Sequence, residues 1–354
     1  MLRQSPQLDH EYLPIAGLQT YLDASQRLVL GAESQSIAAG RVTSVQTLSG
    51  TGALHLGFLL LARFSPPSPS KRVFVSSPPY ANHLPLLQHV DLPSGSYPYY
   101  DPASKRLKLQ AMLETLADIP NGSIVLLHAC AHNPTGVDPS PAQWSDIAQA
   151  MKAKQHVPFF DSAYQGFASG DLDADAWAIR HFVKRDFDLI MIAQSYAKCM
   201  GLYGERTGCL HVLASNIDHA ERISSQLKKL QRIEISTPPA YGARIASLIL
   251  NDETLFQQWQ HDLRTMSGRV RNMRKALRAR LEANGARGSW RHITDQQGMF
   301  CFSGLGRTEV QALREKYHIY TTPDGRFSIS GLREDNVDYV AEAIKAVLAP
   351  RSHL

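Results

Sequence analysis

Short apolar runs rich in β-formers alternate with helix-period stretches through much of the chain. RVFVSS at 72–77, SIVLLHAC at 123–130, VPFFDSA at 157–163 and DLIMIAQS at 188–195 read as strands. Between them, SPAQWSDIAQAMKAKQ starts at Ser140-Pro141 and places Trp144, Ile147 and Met151 on one face, which predicts a helix. This alternation predicts an α/β fold in which a mostly parallel sheet lies between helices. In such a sheet ligands gather at the carboxyl ends of the strands, so Asn133, Asp161 and Ser195 become the positions to weigh.

From about 252 to 284 the pattern predicts one or two long amphipathic helices, ended by Asn284-Gly285. Beyond them GMFCFSGL and GRFSISGL read as strands and EDNVDYVAEAIKAVL as a final helix. The expected organisation is a large domain over 1–265 and a smaller C-terminal α/β domain over 266–354. SPPSPSKR at 65–72 reads as a surface loop.

Composition narrows the class. A chain of 354 residues, 44% hydrophobic, can bury a large core. The net charge of +5 comes from 37 basic and 32 acidic residues scattered along the chain, so a nucleic-acid partner is not expected. Apolar runs such as LHLGFLLLA from Leu54 are too short to span a bilayer, and no membrane association is expected. Four cysteines without framework spacing fit a reducing compartment, and a cytoplasmic location is the expectation.

Four stretches can carry chemistry. Ser49-Gly50-Thr51-Gly52 opens directly into an apolar helical run, where free backbone N–H groups and two hydroxyls suit a single phosphate; alone, it reads more readily as a plain helix cap. His128, Cys130 and His132 alternate as metal ligands on a strand would, but their neighbourhood supplies no further ligand pair, and a buried strand end is the better reading. Asp161 and Tyr164 follow an apolar run, a costly place for a carboxylate without a cationic or N–H partner. It suits either a helix cap or a pairing with a protonated ring nitrogen. Lys198, in QSYAKCMGLYGERTG, is a strand-end amine in small apolar surroundings with Arg206 nearby, conditions that lower an amine's pKa and make it nucleophilic.

Together, LDHEYLPIAGL, SGTGAL, YPYYDP, LLHACAHNPTG, FFDSAYQGFASGDLDADAWAIR, QSYAKCMGLYGERTG, TPPAYGARI, QQGMFCFSGL and GRFSISGL resemble, over essentially the whole chain, the class I, fold-type I pyridoxal-phosphate aminotransferases, and most closely those of eukaryotic aspartate type. The resemblance implies that Lys198 carries pyridoxal 5′-phosphate as a Schiff base and moves the substrate proton. Asp161 would hold the ring nitrogen protonated. Tyr164 and Asn133 would bond the ring's phenolic oxygen, with His132 supporting them from behind in place of a metal role. Ser49, Gly50, Thr51, Ser195 and Arg206 would hold the phosphate, joined by Tyr12 from a second subunit of a homodimer. Arg326 would bind the substrate α-carboxylate, and Arg232 would cross the dimer interface to the distal carboxylate. The implied activity moves the amino group of aspartate or glutamate to a 2-oxo acid.

The resemblance has departures. Tyr80, a cofactor and substrate contact, and Ile235 stand where the family usually has tryptophan, and Cys199, Met200 and Gly204 also differ from the commoner residues. An aminotransferase for an aromatic or specialised amino acid therefore remains an alternative. The motifs begin close to the first residue, so the family's N-terminal arm and part of its small domain would precede this sequence, together with any mitochondrial transit segment. A catalytically silent paralogue is the third reading.

Overall fold

The computed structural model describes residues 9–65 and 68–349. Residues 66 and 67 of the SPPSPSKR loop, and Leu8 of the first family motif, lie outside that range.

Among the described residues, eleven strands run in chain order: β1 Val42–Leu48, β2 Val73–Ser77, β3 Ser94–Pro98, β4 Tyr100–Asp101, β5 Arg106–Leu107, β6 Ile124–His128, β7 Val157–Ser162, β8 Leu189–Ser195, β9 Thr207–Ala214, β10 Phe300–Phe302 and β11 Arg326–Ser328. Seven form one sheet in the order β1-β9-β8-β7-β6-β2-β3. The pairs from β3 through β8 are parallel, while β9 runs antiparallel to both β8 and β1. The four strands expected from pattern all lie in this sheet, with ends shifted by one or two residues. Pattern alone missed β1, β3 and β9.

Burial explains the apolar runs. Every residue of β6 and β9 is buried, as expected where both faces of a sheet are covered. Successive residues of β7 serve opposite faces: Phe159 packs with the helix Ser49–Phe64, and Phe160 with Trp144 and Phe182. Gly57 lets that helix lie close to the sheet, since a Cβ there would come within 2.5 Å of the Phe159 ring.

The helix predicted from Ser140 spans Pro141–Ala153, and Ser140 and Gln143 exchange the bonds of a capping box. The stretch from 252 onward forms one helix, Glu253–Ala283, capped by the Asp252 carboxylate. Trp259, Leu263, Val270, Met273, Leu277 and Leu281 bury one face of it. Gly285, at φ 74°, takes the left-handed turn that stops it. Trp259 Nε1 donates to the Cys199 carbonyl at 2.7 Å, fixing the helix to the loop that carries Lys198. Further on, β10 and β11 form an antiparallel ribbon and the last described helix is Val337–Leu348, as the pattern predicted, although the strands are only three residues each.

Candidate active site

Because β2, β6, β7, β8 and β1 all point the same way, their carboxyl ends converge, and β9 begins at the same edge. Ser77, His128, Asp161, Ser195 and Leu48 are therefore gathered at one end of the sheet, with Thr207 entering there.

At the β1 end, Ser49 sits at φ 61° and Arg206 at φ 51°, both left-handed. Ser49 N–H donates to the Arg206 carbonyl at 2.9 Å, which ties the two turns together. The Ser49 and Ser195 hydroxyls lie 3.0 Å apart. Gly50 packs on Ser195, where an added Cβ would stand 3.2 Å from its Cβ. Thr51 is half-buried in the first turn of the helix. The Arg206 side chain is exposed and bonds only the Tyr203 carbonyl among the described residues. Hydroxyls, the N–H groups of a 16-residue helix's first turn and an arginine thus meet at one spot, a donor set that suits a phosphate.

Lys198 is partly buried, and its Nζ lies 5.1 Å from the centre of the Tyr164 ring. Burial lowers its pKa; the nearby Asp161 charge opposes this and Arg206 reinforces it. Burial and the same Asp161 charge raise the Tyr164 phenol.

Asp161 is buried at the end of β7, and its Oδ2 lies 3.0 Å from His83 Nε2. Burial pushes its carboxyl up, but the His83 bond, with the charges of His128, His83 and Lys198, outweighs this and holds it below the usual carboxylate value. His83 Nδ1 has no partner among the described residues, so the tautomer with its proton on Nε2 is the one that donates to Asp161. The His83 ring packs on Tyr80 and on His128, both at 5.2 Å. His128 lies 4.5 Å from His132, and burial brings His128 down to about 4.

His132 stacks on Tyr99 at 3.9 Å and bonds the Ser76 and Thr135 hydroxyls, both at 2.8 Å. Both of its ring nitrogens are committed to hydroxyls, and burial drives its pKa well down. It holds the turn that presents Asn133, whose Oδ1 accepts from Arg326 Nη1 at 2.8 Å. That pair bridges the sheet and β11, and the Arg326 guanidinium also lies 4.5 Å over the Phe300 ring. Tyr80 is half-buried and senses the charges of Asp161, Arg326 and Arg206.

Ser49, Gly50, Thr51, Tyr80, Asn133, Asp161, Tyr164, Ser195, Lys198, Arg206 and Arg326 are thus brought to one end of the sheet. Tyr12 and Arg232 are not: Tyr12 is 80% exposed, and Arg232 is exposed near the end of the helix Ile217–Ile235. His83 was missed by sequence reasoning. Its only signal is its place three residues after Tyr80, and only the fold brings it under Asp161.

A sheet-end amine with a lowered pKa, a buried carboxylate and a phosphate-type cradle define a carbonyl-cofactor enzyme of the α/β class. The family described as aminotransferase class I and II matches residues 2–344, and the chain belongs to it. The mitochondrial aspartate aminotransferase of Schizosaccharomyces pombe is 49% identical over 344 residues, covering 97% of this chain and 78% of that protein. The structure of the cytoplasmic aspartate aminotransferase of Saccharomyces cerevisiae superposes with a TM-score of 0.95 at 42% identity, over 98% of this chain and 85% of that one. An aromatic-amino-acid aminotransferase of Burkholderia pseudomallei, covalently bound to pyridoxal phosphate, superposes with a TM-score of 0.92 at 40% identity, over 97% and 84%. Relatives thus include mitochondrial and cytoplasmic proteins, and among the described residues no helix is long and apolar enough to cross a membrane.

Proposed function

We propose that the protein is a pyridoxal-phosphate-dependent aminotransferase that moves the amino group of aspartate or glutamate to a 2-oxo acid such as 2-oxoglutarate or oxaloacetate. The observation that carries this reading is the desolvated Lys198 amine beside Tyr164 and the buried Asp161 carboxylate. The donor set fits the cofactor: hydroxyls, helix N–H groups and Arg206 for its phosphate, a carboxylate for its ring nitrogen and an amine for its aldehyde. When bound, the cofactor supplies an electron sink for the substrate carbon that loses its proton.

The residues divide the remaining work. Ser49, Gly50, Thr51, Ser195 and Arg206 anchor the phosphate, helped by the helix dipole. Asp161, kept ionised by His83, holds a proton on the ring nitrogen. Tyr164 and the Asn133 amide nitrogen donate to the ring's phenolic oxygen, since Asn133 Oδ1 is already committed to Arg326. Lys198, neutral at a lower pH than a solvated lysine, removes and returns the substrate proton. Arg326 binds the α-carboxylate as a planar fork, and Tyr80 closes the pocket above His83.

The exposure of Tyr12 and Arg232 supports a homodimer in which each reaches the other subunit's site, Tyr12 to the phosphate and Arg232 to the distal carboxylate. Residues 1–265 would then form the cofactor-binding domain and 266–354 the smaller domain that carries Arg326 to Asn133. A second reading, transfer from an aromatic or specialised amino acid, rests on Tyr80 and Ile235, which stand where the family usually has tryptophan.

The test is the absorbance of protein purified with pyridoxal phosphate. A cofactor band that shifts on adding aspartate, and that Lys198→Ala abolishes together with activity, is expected. A band and activity that survive Lys198→Ala overturn the assignment. A shift with aromatic amino acids but none with aspartate selects the second reading.

A further inference from the structure

Away from the active site, a cavity of about 540 Å³ lies between the β4–β5 ribbon and the segment 289–297. Lys105, held left-handed at φ 58° in the ribbon's turn, projects its amine across this junction. Its Nζ lies 3.3 Å from His292 Nδ1 and 5.7 Å from the centre of the Trp290 ring. His292 Nε2 donates to the Ser303 carbonyl at 3.0 Å, so Nδ1 presents a lone pair to the ammonium. No carboxylate lies within 4.0 Å of Lys105 among the described residues. A partly buried cation is thus paired only with a neutral ring and an aromatic face, and its remaining N–H donors are left for an anion in the cavity. Burial lowers the Lys105 pKa, as that environment requires.

The other charges of the cavity do not supply that anion. Both Asp138 oxygens accept backbone N–H bonds, from Ala131 at 2.7 Å and His132 at 2.9 Å. Asp295 pairs with Arg291 at 3.3 Å. Arg106 is exposed at the rim and forms no ion pair among the described residues. Lys105 and Arg106 remain as two cations facing a space large enough for a small solute.

We infer that this cavity is a second binding site, separate from the active site, for a small dianion of the phosphate or phosphomonoester class, held by Lys105 and Arg106. Its walls also touch the active-site turn: Asp138 holds the Ala131 and His132 N–H groups, and Gln297 N–H donates to the Gly136 carbonyl at 2.7 Å. An occupant therefore sits against residues that position Asn133.

The experiment is calorimetric titration of the cofactor-loaded protein with inorganic phosphate, the loaded cofactor filling the phosphate cradle at Ser49. Wild type is expected to bind phosphate at this site. Lys105→Met and Arg106→Gln should each weaken that binding by about tenfold or more, the loss expected for a charge-assisted contact. Lys105→Arg should retain it, and aminotransferase activity without phosphate should be unchanged in Arg106→Gln. Thermal unfolding checks that Lys105→Met is folded; if it is not, the Lys105→Arg and Arg106→Gln pair decides. Phosphate heats identical in wild type and Arg106→Gln, or phosphate binding seen only in competition with the amino donor, overturn the site.

Discussion

His83 Nε2 stands 3.0 Å from Asp161 Oδ2, with both side chains buried, and this bond, together with the charges of His128, His83 and Lys198, outweighs burial at the carboxylate. Replacing His83 by alanine should raise the Asp161 pKa. The acid limb of the kcat/KM profile should then move to higher pH. In the apo protein the sign is also fixed: a carboxyl with a depressed folded pKa contributes stability that is present above its unfolded value of about 3.9 and lost as pH falls through the folded value. His83→Ala should therefore flatten the acid-side dependence of apo stability, measured by urea unfolding between about pH 2 and 6.

The Lys198 pKa is lowered as well, but there the charged form is the one the fold disfavours. Its lowered pKa means that the folded state disfavours the charged amine, so apo stability should rise with pH between the folded pKa and the unfolded value of about 10.4. Lys198→Met should abolish transamination while leaving the apo protein at least as stable as wild type at pH 7. Thermal unfolding alongside activity checks this; a clear loss of stability in the methionine variant would show that the amine is a structural ion-pair partner.

Arg326 joins Asn133 at 2.8 Å and lies over Phe300. Arg326→Lys keeps the charge and loses the planar fork. Its kcat/KM for the amino donor should fall about 10- to 100-fold, as for loss of a hydrogen bond to a charged group. Steady-state kinetics with an unchanged cofactor spectrum would place the loss at the substrate.

Arg232 is exposed in the chain by itself, and its proposed role depends on a second copy. Arg232→Asp should lose aspartate far more than neutral amino acids, because only a distal carboxylate leaves the new side chain facing a like charge. Equal losses on both substrates in a parallel kinetic panel would remove Arg232 from side-chain selection.

Gly57 lets the helix Ser49–Phe64 lie close to the sheet, since an alanine Cβ would lie 2.5 Å from Phe159 Cζ and 3.2 Å from Met191 Cε. Overpacking costs about 1–3 kcal/mol, offset by about 1 kcal/mol of helix propensity. Gly57→Ala should be net destabilising by about 1 kcal/mol in denaturant unfolding.

Pattern alone located β6, β7 and β8, three of the strands buried on both faces, but not the equally buried β9. β6, β7 and β8 are continuous apolar runs because helices cover both faces of the sheet, and that requirement is written residue by residue. The sequence by itself also determined the long helix, whose one buried face repeats at helical spacing, and the motifs around Lys198, Asp161 and Asn133. Strand β3 left no such record. It is a short edge strand, SGSYP, with one buried residue, and its pairing with β2 supplies what its side chains do not. The relationships inside the site were decided only by tertiary structure. His83 meets Asp161 across 78 residues and Arg326 meets Asn133 across 193, through strand ends that the parallel register brings to one edge. Pattern reports which side of an element is buried; a contact between two polar groups depends on where the remaining elements place both ends, and no local period encodes that distance.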